Sequence, residues 1–121
     1  MKARESALTL KRFEADEKAR KVADLEQMIR AFENMAAALD RQINAEEDRT
    51  GIKDPAHFAY STFAKSASLR RDNLRTSADG LRAKLEAAQR ERDEILEQVA
   101  RAETSETRAE LRSRRLYWVL R

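Results

Sequence analysis

The stretch LTLKRFEADEKARKVADLEQMIRAFENMAAALDRQI places an apolar residue at every seventh position without a break: Leu8, Ala15, Val22, Ile29, Ala36 and Ile43. A column three residues later reads Lys11, Lys18, Leu25, Phe32, Leu39 and Glu46. Alternating steps of three and four are the a and d pattern by which a helix buries a narrow stripe against another helix, whereas a strand needs a period of two. The chain is therefore constrained to long helices that pair. The stripe is strongest from Val22 to Ile43 and weakens toward the amino end, and the helix is expected over about residues 3–48, roughly 70 Å at about 1.5 Å per residue.

The segment TGIKDPAHFAYSTFAK, residues 50–65, interrupts this pattern. It holds one of the two glycines, the only proline and the only histidine. Gly51 suits the left-handed conformation that ends helices, and Asp54 followed by Pro55 suits an N-cap and first helical position. The sequence thus predicts a turn over 49–54 and a second helix from 55 to 111 or beyond, with 112–121 as a basic and aromatic tail. The second arm has its own seam: Tyr60, Ala67, Leu74, Leu81, Ala88, Ile95 and Ala102 at d, and Ala64, Arg71, Ala78, Leu85, Arg92 and Val99 at a.

A connection this short makes the two helices antiparallel neighbours. Folding about Gly51 and Ile52 sets a against d all along the arms: Ile43 with Tyr60, Leu39 with Ala64, Ala36 with Ala67, Phe32 with Arg71, Ile29 with Leu74, Leu25 with Ala78, Val22 with Leu81, Lys18 with Leu85 and Ala15 with Ala88. The expected fold is an all-α, long antiparallel two-helix coiled-coil hairpin, a single domain with a C-terminal helical overhang beyond Ala102. Three features of this pairing are poor. Ala36 on Ala67 is a thin layer, Lys11 against Arg92 is a like-charge layer that weakens the open end, and Gly80 sits inside the second helix, where glycine costs about 1 kcal/mol relative to alanine.

Composition agrees with rods rather than a thick core: 39% of residues are charged and only 6% aromatic. Cysteine is absent, so neither a disulfide framework nor a thiolate metal site is available. The opening residues mix acids with bases and contain no apolar run, so no secretory signal is expected, and no stretch reaches the length of a membrane span; a cytoplasmic protein is the expectation. The net charge of +3 is a property of the carboxyl end alone. Residues 1–111 hold 21 basic and 22 acidic side chains, and Arg112, Arg114, Arg115 and Arg121 supply the excess. A mixed-sign surface of this kind argues against a phosphate-binding face and hence against nucleic acid as the main partner.

No catalytic constellation stands out. His57 is the only histidine, the acids fall at helical surface spacings among bases, and no phosphate-cradling glycine run or nucleophile motif occurs. The expectation is a non-enzymatic protein with no cofactor, no metal and no small-molecule substrate. Candidate partner contacts come instead from apolar residues off the seam. Leu10, Phe13 and Leu96 lie along the weak open end; Phe58, Phe63 and Leu69 lie toward the tip, where Tyr60 closes the seam and Phe58 turns outward. Scattered exposed leucines also occur with no function at all. The end segment RSRRLYWVLR stays open among a peripheral membrane contact, an RNA contact, a docking tail and a frayed terminus.

Two segments, LKRFEADEKARKVADLEQMI (Leu10 to Ile29) and GIKDPAHFAYSTFAKSASLRRDNL (Gly51 to Leu74), resemble the flagellar export protein FliJ family in its alphaproteobacterial form. The similarity covers about residues 1–100, and the DPAHFAY tip is its most distinctive part. The resemblance implies a two-helix antiparallel coiled coil like the stalk of a rotary ATPase, acting in the flagellar type III export apparatus at the cytoplasmic face of the inner membrane. Its implied partners are the hexameric export ATPase, the cytoplasmic domain of the export gate and the export chaperones. By analogy with the rotary stalk, Leu10, Phe13 and Leu96 would enter the ATPase and Phe58, Phe63 and Leu69 would face the gate. The alternatives are a generic coiled-coil scaffold or adaptor, and a nucleic-acid or membrane-surface binder working through the arginine tail.

Overall fold

The computed structural model describes residues 2–120. Two helices, α1 (Lys2–Thr50) and α2 (Thr62–Leu120), form an all-α helical hairpin. The chain divides into two compact units, Asp24–Leu85 and Met1–Ala23 with Glu86–Arg121.

In the unit that holds the turn, Ile43, Ala64 and Ala67 make one buried cluster, with Leu39 and Tyr60 packed against it. Ile29, Ala36 and Ala78 are also buried, and Leu25, Phe32, Leu74, Leu81 and Leu85 are half-buried. Asp40 on α1 pairs with both Arg71 and Arg75 on α2, and Glu33 pairs with Arg82. In the other unit Leu8, Ala15, Ile95 and Val99 make the buried cluster, with Ala102 against it. There Lys11 Nζ donates to Gln98 Oε1 at 3.0 Å, Lys18 pairs with Glu91 at 3.0 Å, and Arg12 with Glu103 at 3.2 Å. Val22 and Ala88 are buried as well. The stripes are therefore those read from the spacing: each a residue of α1 from Leu8 to Ile43 is buried, and each d residue from Lys11 to Glu46 is half-buried.

The pairing between the stripes differs from the sequence expectation by about one heptad. Ala67 packs in the cluster of Ile43, not on Ala36, and Ala15 packs in the cluster of Ile95 and Val99, not on Ala88. Lys18 meets Glu91 rather than Leu85. Lys11 is held by Gln98 and not set against Arg92; the shift brings Lys18 opposite Arg92 instead, each cation held by an acid, Glu91 and Asp93. The physical reason is complementarity of size and sign. A slip of one heptad keeps every a against a d, so the stripes alone do not choose between registers. The observed one sets small residues against large ones, Ala15 against Ile95 and Val99, Ala64 and Ala67 against Ile43, which fills the space between helices better than alanine on alanine. It also gives Asp40, Glu33, Lys18 and Arg12 opposite charges across the helix pair. The overhang shortens accordingly. Glu106 and Ala109 are half-buried, and Arg4 and Glu5 of α1 line a surface depression with Glu106, Ala109 and Ser113, so α2 still has a neighbour beyond Ala102.

The register follows from the connection, which runs over 51–61 instead of 49–54. α1 ends where expected: Gly51 has φ of 74° and its N–H donates to the Glu47 carbonyl at 2.8 Å, the left-handed helix ending. Asp54 and Pro55 do not start α2. The Asp54 carboxylate accepts from the Ala56 N–H at 2.9 Å, the Asp54 carbonyl accepts from the His57 N–H, and the His57 carbonyl accepts from the Tyr60 N–H, which makes two successive turns. An Asp-Pro pair serves equally well as positions i and i+1 of a type I turn and as a helix start. The cap of α2 is Ser61. Its hydroxyl accepts from the Ala64 N–H at 3.2 Å, and its carbonyl receives the Lys65 N–H at 3.0 Å. At the other end α2 runs on through Leu120, so residues 112–120, expected as a separate tail, are helix; Arg121 lies outside the described residues.

Candidate functional site

The tip is fastened to the last turns of α1 by Tyr60, which packs on the cluster of Ile43, and by side-chain hydrogen bonds. Tyr60 donates its hydroxyl to Glu47 Oε2 at 2.7 Å, and Ser61 donates to Glu46 Oε1 at 3.0 Å while also capping α2. Glu46 is held below the usual carboxylate range by its hydrogen bonds from Arg49 first and Ser61 second. The Tyr60 phenol is pushed up, first by the bond to Glu47 and then by burial. Both shifts are consequences of these bonds, since each bond favours the protonation state that makes it.

Phe58 stands apart from this clasp. It is 96% exposed and stacks on the His57 ring at a centroid distance of 4.7 Å, while His57 Nδ1 accepts from the Ala59 N–H at 3.0 Å. This places Phe58 as an apolar side chain offered to solvent on a braced loop. Phe63 and Leu69 are exposed on the first turns of α2. All three lie in the unit Asp24–Leu85.

Leu10, Phe13 and Leu96 are exposed in the other unit. Leu10 and Phe13 are brought together, three residues apart on α1, in one shallow depression with Glu5, Ser6 and Thr9. Leu96 does not line it. Its heptad position puts it beside the seam on α2, whereas Leu10 and Phe13 face away from the seam. Ion pairs border this region: Arg12 with Glu103, and Lys18 with Glu91, whose carboxyl Lys18 and then Lys21 hold below its usual range.

Three further features lie outside the candidate contact residues. Met28 and Met35 are exposed beside the seam. Leu111 joins Leu116, Tyr117, Trp118, Val119 and Leu120 as an exposed apolar group on the last three turns of α2. The cluster itself is legible in RSRRLYWVLR; Leu111 joins it because α2 continues past Arg112. Finally Arg71, at a seam position, is half-buried between Asp40 and Asp72, and the Asp40 hydrogen bond pushes its guanidinium still further up, so it stays charged. Among the described residues no group of three or more His, Cys, Asp or Glu is placed to hold a metal ion, and no helix is long and apolar enough to cross a membrane.

Comparison with protein-family models, with curated proteins and with solved structures found no match to this chain.

Proposed function

We propose that the chain is a non-enzymatic coiled-coil component of a flagellar type III export apparatus, working at the cytoplasmic face of the inner membrane at the base of the flagellum. In this reading it binds the hexameric export ATPase, the cytoplasmic domain of the export gate and export chaperones. The resemblance of Leu10 to Ile29 and Gly51 to Leu74 to the FliJ family supports it, and so does the helical hairpin. The observation that carries it is the presence of exposed apolar residues in both units on otherwise charged helices: Leu10 and Phe13 side by side on α1 in one, and Phe58, Phe63 and Leu69 in the other. Single exposed leucines mean little, but aromatic residues facing water on a charged coiled coil are the kind of anchor that buries in a partner.

Leu10, Phe13 and Leu96 are assigned to the ATPase, and Phe58, Phe63 and Leu69 to the gate. The test is a pull-down from a lysate of flagellated cells with the intact chain and a Leu10→Ala, Phe13→Ala double variant. Recovery of the export ATPase by the intact chain and its loss in the variant is the expected result. If neither form recovers the ATPase, the export assignment fails and a generic coiled-coil scaffold takes its place. Crosslinks from the Phe58 region to the ATPase pore, with Phe13 left uncrosslinked, would reverse the orientation.

A further inference from the structure

The last turns of α2 carry chemistry that the seam does not use. Every residue from Glu110 to Leu120 is exposed, and Leu116, Tyr117, Trp118, Val119 and Leu120 are consecutive. At about 100° per residue, five consecutive side chains encircle a helix, so they form an apolar band and not a stripe. A facing helix would cover Leu116 and Leu120 and leave Trp118, Val119 and Leu111 in water, so a seam partner does not account for the group.

Arg112, Arg114 and Arg115 precede the band and are exposed at three different azimuths, a cationic collar around the same helix. No acid occurs after Glu110. A second copy of this segment would bring like charges together, whereas an anionic surface complements them. The band is about 7 Å tall, far short of a span, yet it matches the roughly 5–10 Å to which interfacial helices sink at the boundary of headgroups and acyl chains. Tryptophan and tyrosine are the residue types favoured at that depth, and here their rings contact edge to face at 6.1 Å. Arginine stems can lie along the band while their guanidinium groups reach outward to headgroup phosphates.

We infer that residues 111–120 dock on a bilayer bearing anionic headgroups, the apolar band entering the interface and the arginine collar engaging the phosphates. The inference is independent of the export reading, since vesicle binding is measured without the ATPase and the ATPase pull-down without lipid.

Trp118 is the only tryptophan, so its emission reports on this segment in the full chain. With vesicles of phosphatidylcholine containing phosphatidylglycerol, the emission should shift to the blue and the protein should sediment with the lipid, both weakening as salt rises. Replacing Arg112, Arg114 and Arg115 by glutamine should weaken binding on the order of 10²-fold, at about fivefold per arginine near such a surface. Leu116→Ser with Leu120→Ser should abolish the blue shift at low salt. Helicity of both variants should be unchanged, because all five side chains are exposed; should either variant unfold, the salt titration of the intact chain still decides. No shift and no sedimentation with the anionic vesicles overturns the inference. So does equal binding to pure phosphatidylcholine, and so does the same Trp118 response to inorganic phosphate or to single-stranded RNA alone.

Discussion

Replacing Ser61 by alanine tests where α2 begins. In the structure this hydroxyl accepts from the Ala64 N–H and donates to Glu46, while the Asp54 carboxylate accepts from the Ala56 N–H in an exposed turn. Loss of an N-cap costs about 1 kcal/mol, within a range of about 0.5–2. The Glu46 bond is solvent-bordered and adds about 0.5 kcal/mol, at the low end for a single hydrogen bond. Ser61→Ala should therefore cost about 1.5 kcal/mol, and Asp54→Ala about 0.5 kcal/mol or less, as expected for a surface turn. Urea unfolding followed by far-ultraviolet circular dichroism gives both values from the midpoint shift at constant slope. Amide exchange should also quicken at Ala64 in the Ser61 variant. If α2 began at Pro55, as the Asp-Pro pair alone reads, the order would invert. Asp54→Ala costing more than Ser61→Ala would refute the cap, and with it the long connection that sets the register.

Other consequences follow from the same contacts. Ile43→Ala removes about three carbons from the cluster of Ala64 and Ala67 and should cost about 3 kcal/mol by urea unfolding, whereas Leu69→Ala on the exposed surface should stay within about 0.5 kcal/mol. The two glycines should respond oppositely. A Cβ at Gly80 meets nothing within 4 Å in the helix, so Gly80→Ala should stabilise by about 1 kcal/mol, while Gly51→Ala at φ of 74° should destabilise by about 1 kcal/mol, both read from thermal midpoints. Acid should loosen both units. The folded-state shifts of Glu46 and Glu91 are downward, so the unfolded chain binds protons first. Their contribution is present above the ordinary glutamate pKa of about 4.3 and lost as pH falls through the lower folded values. The urea midpoint should drop on acidification through that window, less so in a Lys18→Gln variant; an unchanged midpoint would contradict the assignment.

The stripes were legible in the sequence because burial on a helix needs a residue every three or four positions, and Leu8 to Ile43 keep that spacing unbroken. Their offset was not. A repeating seam is degenerate under a slip of seven, so the turn decides, and Asp54-Pro55 carries the same residues for a turn as for a helix start. The discriminating signals lay off the stripes. In the observed register Asp40 reaches Arg71 and Arg75, Glu33 reaches Arg82, Lys18 reaches Glu91 and Arg12 reaches Glu103, whereas the shorter connection would bring Lys84 and Leu96 to the places of Glu91 and Glu103. Ion-pair bookkeeping at positions flanking the seam would have chosen correctly. Among the candidate contact residues, exposure of Leu10, Phe13, Leu96, Phe63 and Leu69 was readable from heptad position, whereas Phe58 is exposed because it lies on the connecting loop and not on the helix that its heptad position assumed. That Leu10 and Phe13 share a depression while Leu96 lies elsewhere depends on azimuths around two different helices, which a single stripe does not display.

The central claim is that one chain doubles back and pairs with itself in this particular register. Spin labels at Arg12 paired with Glu103, and at Arg12 paired with Leu96, measure it in dilute solution on a chain that has no native cysteine to interfere. Arg12 and Glu103 touch in an ion pair, and Leu96 lies one heptad, about 10 Å, back along α2. The 12–103 separation should be the shorter of the two and independent of protein concentration. A shorter 12–96 separation would restore the tighter turn, and two long separations would mean that the helices find their partners in other molecules.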